Sequence, residues 1–244
     1  MIRLPWCRTG RGIREQQVTI ELDGRTVPAR IRHHLRARRL ILRVDPERDD
    51  LVITLPPRAP VAEGLELARR KSKWIVDRLD ALPPRIAFAD GAIVPFLGTD
   101  HVVCHRPLGG CPVWRENGEI NVSGGPEHLP RRLRDWLESQ ARREIGCRVA
   151  AKASRLGRAF GRVRLGDTRS RWGSCSAAGN FSFCWRLIMT PAHVLDYVVA
   201  HEVAHLEAMN HGAGFWRTVG ELTDDSAKAR AWLHRHGARL RRYG

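Results

Sequence analysis

From Gln17 onward the apolar positions alternate: Val18, Ile20 and Leu22, then, across Asp23-Gly24, Val27, Ala29 and Ile31. A period of two puts these side chains on one face of a strand, and Asp-Gly between two such runs predicts a β-hairpin. Leu40–Val44 and Leu51–Leu55 read as two further strands, the second stopped by Pro56-Pro57. Over residues 61–80 the spacing lengthens, and Leu65, Ala68, Trp74, Ile75 and Leu79 predict one helix. The Gly- and Pro-rich stretch 83–125 reads as short strands and loops, His101-Val102-Val103-Cys104 among them. From Pro130 the period becomes four. Leu133, Leu137, Ala141, Ile145 and Val149 mark the buried stripe of a long helix that Gly157 is placed to end.

Beyond it, Val163–Leu165, Arg171–Ser176 and Asn180–Trp185 read as short strands, with Ala178-Gly179-Asn180 as the turn between the last two. Thr190 is the expected N-cap of a helix whose first position is Pro191. A final amphipathic helix begins at Ser226 and carries Ala229, Trp232, Leu233 and Leu240. The chain therefore divides into a loose tail (1–15), a β-rich N-terminal part with one helix (16–125) and a C-terminal core (126–244). The fold class is α+β, with a small antiparallel sheet packed on the helix that begins after Thr190.

Composition sharpens this in three ways. The net charge is +16, from 42 Lys and Arg against 26 Asp and Glu. Such an excess attracts polyanions, so non-specific nucleic-acid contact through the basic surface belongs among the expectations. The six cysteines include no Cys-x-x-Cys pair, which argues against a zinc ribbon or a thioredoxin-like site and for free thiols. No run of apolar residues is long enough for a membrane helix, and the N-terminus lacks an apolar leader, so the expected location is the cytoplasm, with no membrane partner.

The chemistry gathers on the helix after Pro191. His201 and His205 are four residues apart, one above the other on a helix face. Glu202 is rotated from His201 by about 100°, beside the pair, where it suits a base better than a ligand. This is the His-Glu-x-x-His arrangement of zinc hydrolases: two imidazoles for the ion and a carboxylate for the proton of the water it activates. One Zn2+ is the expected cofactor. Catalytic zinc takes three protein ligands, and His211 lies ten residues after His201. The metzincin pattern of that spacing has Gly where this chain has Ala208, so the turn must be made otherwise, around Asn210 and Gly212. Glu221 is the rival third ligand. Arg171, Arg186, His193 and Asn210 are candidates for stabilising the developing oxyanion.

The blocks Ser170–Ser176, Trp185–Pro191, Tyr197–Leu206 and Asn210–Trp216 together resemble the YgjP-like metallopeptidase family, related to SprT-like and gluzincin-type peptidases. The resemblance implies metal ligands at His201, His205 and His211, a catalytic Glu202, and a cleft bordered by the strand from Arg171 to Ser176. Arg171, Trp172, Ser174, Cys175, Arg186 and Asn210 then become the substrate-binding candidates. The family carries Asn just before the Trp-Arg-Leu segment, where this chain has Cys184, whose thiol cannot supply an amide's two-way hydrogen bonding. The expected activity is that of a zinc metallopeptidase acting on a peptide or protein. Two alternatives stand beside it: a nucleoside triphosphate hydrolase using the same site, and a nucleic-acid-associated protein-processing factor.

Overall fold

The computed structural model describes residues 7–9, 13–46, 48–168 and 171–244. The chain is α+β and forms two compact units, Met1–Pro84 and Arg85–Gly244. In the first unit, strands β1 (Cys7–Thr9), β2 (Ile13–Leu22), β3 (Arg25–His33), β4 (Ile41–Asp45) and β5 (Asp50–Leu55) form one sheet in the order β1-β2-β3-β5-β4. Asp23 (φ 47°) and Gly24 (φ 73°) both adopt the left-handed conformation that a two-residue hairpin turn needs. β3 and β5 run parallel, so Val27, Ala29 and Ile31 share a buried face with Leu51, Ile53 and Leu55. Of the expected tail, Cys7–Thr9 is instead a strand paired antiparallel with Ile13–Glu15, while residues 1–6 and 10–12 lie outside the described residues.

The helix expected over 61–80 is two helices, α1 (Val61–Arg70) and α2 (Ser72–Asp80). Lys71 (φ −108°, ψ 20°) leaves helical geometry between them. The apolar stripe keeps its face across the break: Ala68, Ile75 and Leu79 are buried, whereas Trp74 turns outward and is 46% exposed. Gly64 lets α1 approach β5, since a Cβ there would stand 2.8 Å from Ile53 and 2.9 Å from Leu55.

The second unit opens with β6 (Ile93–Phe96), β7 (Thr99–Arg106), β8 (Val113–Glu116) and β9 (Glu119–Ser123), ordered β6-β7-β9-β8. The helix α3 (Leu129–Arg155) lays its stripe of Leu133, Leu137, Ala141, Ile145 and Val149 into a core shared with Val94, Phe96, Val103, Ile120 and Val122 of that sheet. The sheet thus belongs with α3 and the C-terminal part of the chain. The division of the chain falls after Pro84, not at residue 125 as the sequence suggested. Gly157 (φ 62°) ends α3, its N–H bonding Ser154 O while Arg158 N–H reaches Ala153 O, the two bonds of a Schellman cap.

Next along the chain is a three-stranded sheet, with β10 (Val163–Gly166), β11 (Gly173–Cys175) and β12 (Phe181–Cys184) in the order β10-β12-β11. β11 is antiparallel to β12, and β10 joins it in parallel. Three helices complete the unit: α4 (Ala192–Ala204), α5 (Ala213–Leu222) and α6 (Ser226–Leu240). α4 is buried almost all round, through Val194, Leu195, Val198, Val199, Val203 and Ala204. A polar side chain on such a helix needs a reason to be there. Pro191, not Thr190, holds the N-cap position; the Thr190 hydroxyl donates to Leu187 O at 2.7 Å, at the end of the 3-10 turn Trp185–Met189. The β6–β7 turn braces the same place: Leu97 N–H bonds Ile188 O at 2.7 Å and Gly98 abuts Pro191. Among the described residues no helix is long and apolar enough to cross a membrane.

Candidate metal centre and the cleft beside it

His201 lies on the last turn of α4, His205 caps that helix, and His211 stands in the connection to α5. One ring nitrogen from each lies within 4.8 Å of the others. His201 Nε2 and His211 Nε2 approach to 3.2 Å. His205 Nδ1 is 3.0 Å from Ala208 O, an atom that can only accept, so Nδ1 carries the proton and Nε2 keeps its lone pair. His201 Nδ1 is buried without a hydrogen-bond partner. Burial, reinforced by His205, His211 and Arg230, pushes the His201 pKa down to about 4, which keeps the ring neutral. Three imidazoles with ring nitrogens within 4.8 Å of one another form the donor set that zinc takes, so the residues present fit the ion.

The chain reaches His211 without the glycine of the metzincin pattern, for a simple reason. No described residue from His205 to Gly212 has positive φ, and Ala208 N–H bonds back to Ala204 O, so an ordinary L-residue serves at position 208. Asn210 Oδ1 accepts the Gly212 N–H at 3.3 Å and shapes the last bend, which is its visible role. Phe215, in the first turn of α5, backs the cluster: its ring centroid lies 4.9, 4.6 and 4.6 Å from those of His201, His205 and His211.

Glu202 turns from α4 toward β11 and is 7% exposed. Gly173 makes room for it, since a Cβ there would stand 2.5 Å from Glu202 Cγ and 2.6 Å from Oε1. Burial raises the Glu202 pKa to about 7, against the opposing pull of Arg171 and a backbone hydrogen bond from Cys175. The neighbouring Cys175 thiol is pushed up to about 11 by burial and by Glu202, so it stays protonated and is no nucleophile at neutral pH.

A cavity of about 340 Å³ opens beside this carboxylate, lined by Arg171, Trp172, Gly173, Tyr197, Val198, His201, Glu202, Arg230 and Leu233. Of the sequence candidates, Arg171 and Trp172 line it, and Ser174 and Cys175 come next on the same strand, half-buried. Arg186 is elsewhere: its guanidinium is buried against Asp167 and the Trp185 ring and donates to Tyr243 O at 3.1 Å. His193 and Glu221 line a separate cavity with Arg148, Lys152 and Asp196. Cys184 is wholly buried in the core and is absent from the three-histidine cluster. Ser170 lies outside the described residues. Sequence reasoning gave no role to Tyr197, Arg230 or Phe215. Tyr197 could have been found, being one helical turn before His201; Arg230 could not, because nothing local ties α6 to this cleft.

Residues 38–236 match the sequence profile of the YgjP-like, metallopeptidase domain, well over half of the chain. In class the protein is a metal-dependent peptidase. It belongs to the YgjP-like metallopeptidase family. Among solved structures, the metallopeptidase zymogen abylysin of Pyrococcus abyssi is similar at 21% identity, over 41% of this chain and 97% of its own, with a TM-score of 0.34. No curated protein matches the chain.

Proposed function

We propose that the metal is zinc, held by His201, His205 and His211, and that Glu202 is the general base of peptide hydrolysis. One observation carries this reading: a buried carboxylate on α4, beside three convergent imidazoles from the end of that helix and the connection after it, with Gly173 of β11 leaving room for it. Bound zinc supplies a polarising charge for the scissile carbonyl and makes water a nucleophile near neutral pH. The Glu202 carboxylate takes the proton from the attacking water and returns it to the leaving amine, and a proton affinity near neutrality serves both transfers. β11 is an edge strand, so an extended peptide can add to it through main-chain hydrogen bonds, bringing its carbonyl beside Glu202.

The rival reading, hydrolysis of a nucleoside triphosphate at the same site, draws on the guanidinium groups of Arg171 and Arg230 in the cavity. One panel separates the two: zinc-loaded protein with an unfolded protein substrate and with nucleoside triphosphates, beside Glu202→Gln. Peptide cleavage that falls by roughly 10²-fold or more in the variant is the expected result. Release of phosphate or pyrophosphate that depends on Glu202, with no peptide cut, would replace this reading by the rival one.

A further inference from the structure

The cavity beside Glu202 has an uneven character. Among the described residues its apolar lining is Trp172, Tyr197, Val198 and Leu233, while its two cations, Arg171 and Arg230, come from separate elements, just ahead of β11 and on α6. Glu202, already committed to the site, is the one carboxylate among the lining residues. Neither arginine forms an ion pair among the described residues, in a chain where many others do: Arg30, Arg106, Arg148, Arg158 and Arg186 all hold carboxylates.

The Arg230 side chain and the Arg171 main chain are also restrained. Arg230, Leu233 and Gly237 recur at three and four residues along α6, on one face. Gly237 sets that face against Trp172, since a Cβ there would lie 3.1 Å from the indole. The Arg230 guanidinium sits over the Trp216 ring at 5.1 Å from its centroid, which restricts the side chain without using its in-plane donors. The main chain at Arg171 is tied down by the Thr168 hydroxyl, which donates to Arg171 O at 2.6 Å. An apolar floor with two free guanidinium forks fits a short aliphatic stem ending in a carboxylate.

We propose that this cavity is a carboxylate subsite, and that the protein cleaves peptides presenting a carboxylate next to the scissile bond. The proposal rests on the peptidase reading of the site. The carboxylate has two sources, an acidic side chain or the free C-terminus of the peptide, and both offer the same bidentate partner to arginine.

The test uses zinc-loaded full-length protein and alanine-based peptides in matched pairs. One pair carries an internal Glu or Gln with a blocked C-terminus; the other ends in a free carboxylate or an amide. Wild type should favour one carboxylate member over its neutral partner by about tenfold or more in kcat/KM, the scale of a charge-assisted hydrogen bond. Which pair shows the preference identifies the source. Arg171→Gln and Arg230→Gln should each pull that ratio toward one. Arg230→Glu should reverse it in favour of a Lys peptide, a result that misfolding cannot produce. Equal cleavage of carboxylate and neutral peptides by wild type would overturn the subsite and leave the peptidase reading intact. If no peptide is cut, binding of the same peptides to zinc-loaded Glu202→Gln decides. Tighter binding of the carboxylate member, lost in a Glu202→Gln, Arg230→Gln double variant, would keep the subsite while the peptidase reading falls. Indifferent binding would sink both.

Discussion

At the scale of single residues, the site depends on a missing side chain as much as on those present. Gly173 is where β11 and α4 come close enough for Glu202 to lie across the strand. Adding one methyl at this position forces the carboxylate aside, because 2.5 Å from Cγ is far inside van der Waals contact. The three atoms nearest a Cβ at Gly173 all belong to Glu202 and none to an imidazole. Gly173→Ala should therefore still bind one zinc per chain by metal titration, while turnover drops by about 10²-fold, the usual cost of misplacing a reacting group by about an ångström. An unchanged rate would mean that Glu202 works from a position away from β11.

At the scale of elements, α4 is positioned from its N-terminal end. The β6–β7 turn packs against Pro191, with Gly98 at φ 85° and its Cα side facing Pro191 Cα. A Cβ at Gly98 would meet that atom at 2.7 Å, whereas Gly118, at φ 79° in the β8–β9 turn, faces open space. The two glycines thus separate backbone strain from steric crowding within one sheet. Gly118→Ala should cost about 1 kcal/mol, from the left-handed conformation alone. Gly98→Ala should cost about 2–4 kcal/mol by chemical denaturation, since strain and overpacking add. Equal losses would show that the turn yields without disturbing the helix start.

At the scale of the whole molecule, two hydrophobic cores are built from different residues, one in each unit. Separate cores predict separate unfolding transitions in calorimetry. The three histidines all belong to the second unit, so zinc should raise only that unit's transition. At about a hundredfold excess over the dissociation constant the gain is about 2.7 kcal/mol, and a chelator should remove it. A zinc shift shared by both transitions would show that the units unfold together.

Much of this was legible in the chain itself. The hairpin at Asp23-Gly24, the stripe of α3 and its glycine cap, and the helical pair His201 and His205 with Glu202 between them all arise from residues close in sequence, where backbone preference and periodicity act directly. The break at Lys71 was not legible, because helix formers run through it and the apolar period of Ala68, Ile75 and Leu79 continues across it. Thr190 reads as a cap, yet the helix starts one residue later, from Pro191, and where the preceding 3-10 turn ends is visible only once that turn is folded. The placing of residues 93–123 with the C-terminal unit depended on which core their apolar faces share, and Arg186 is held away from the cleft by a half-buried ion pair with Asp167. Arg230 stands at the opposite limit. The sequence by itself brought together the proposed ligands His201 and His205 and the proposed base Glu202, since residues one and four apart lie side by side on one helix. Tertiary structure alone decided what surrounds them, because α6 reaches the cleft through its packing on α4 and the packing of Gly237 on Trp172.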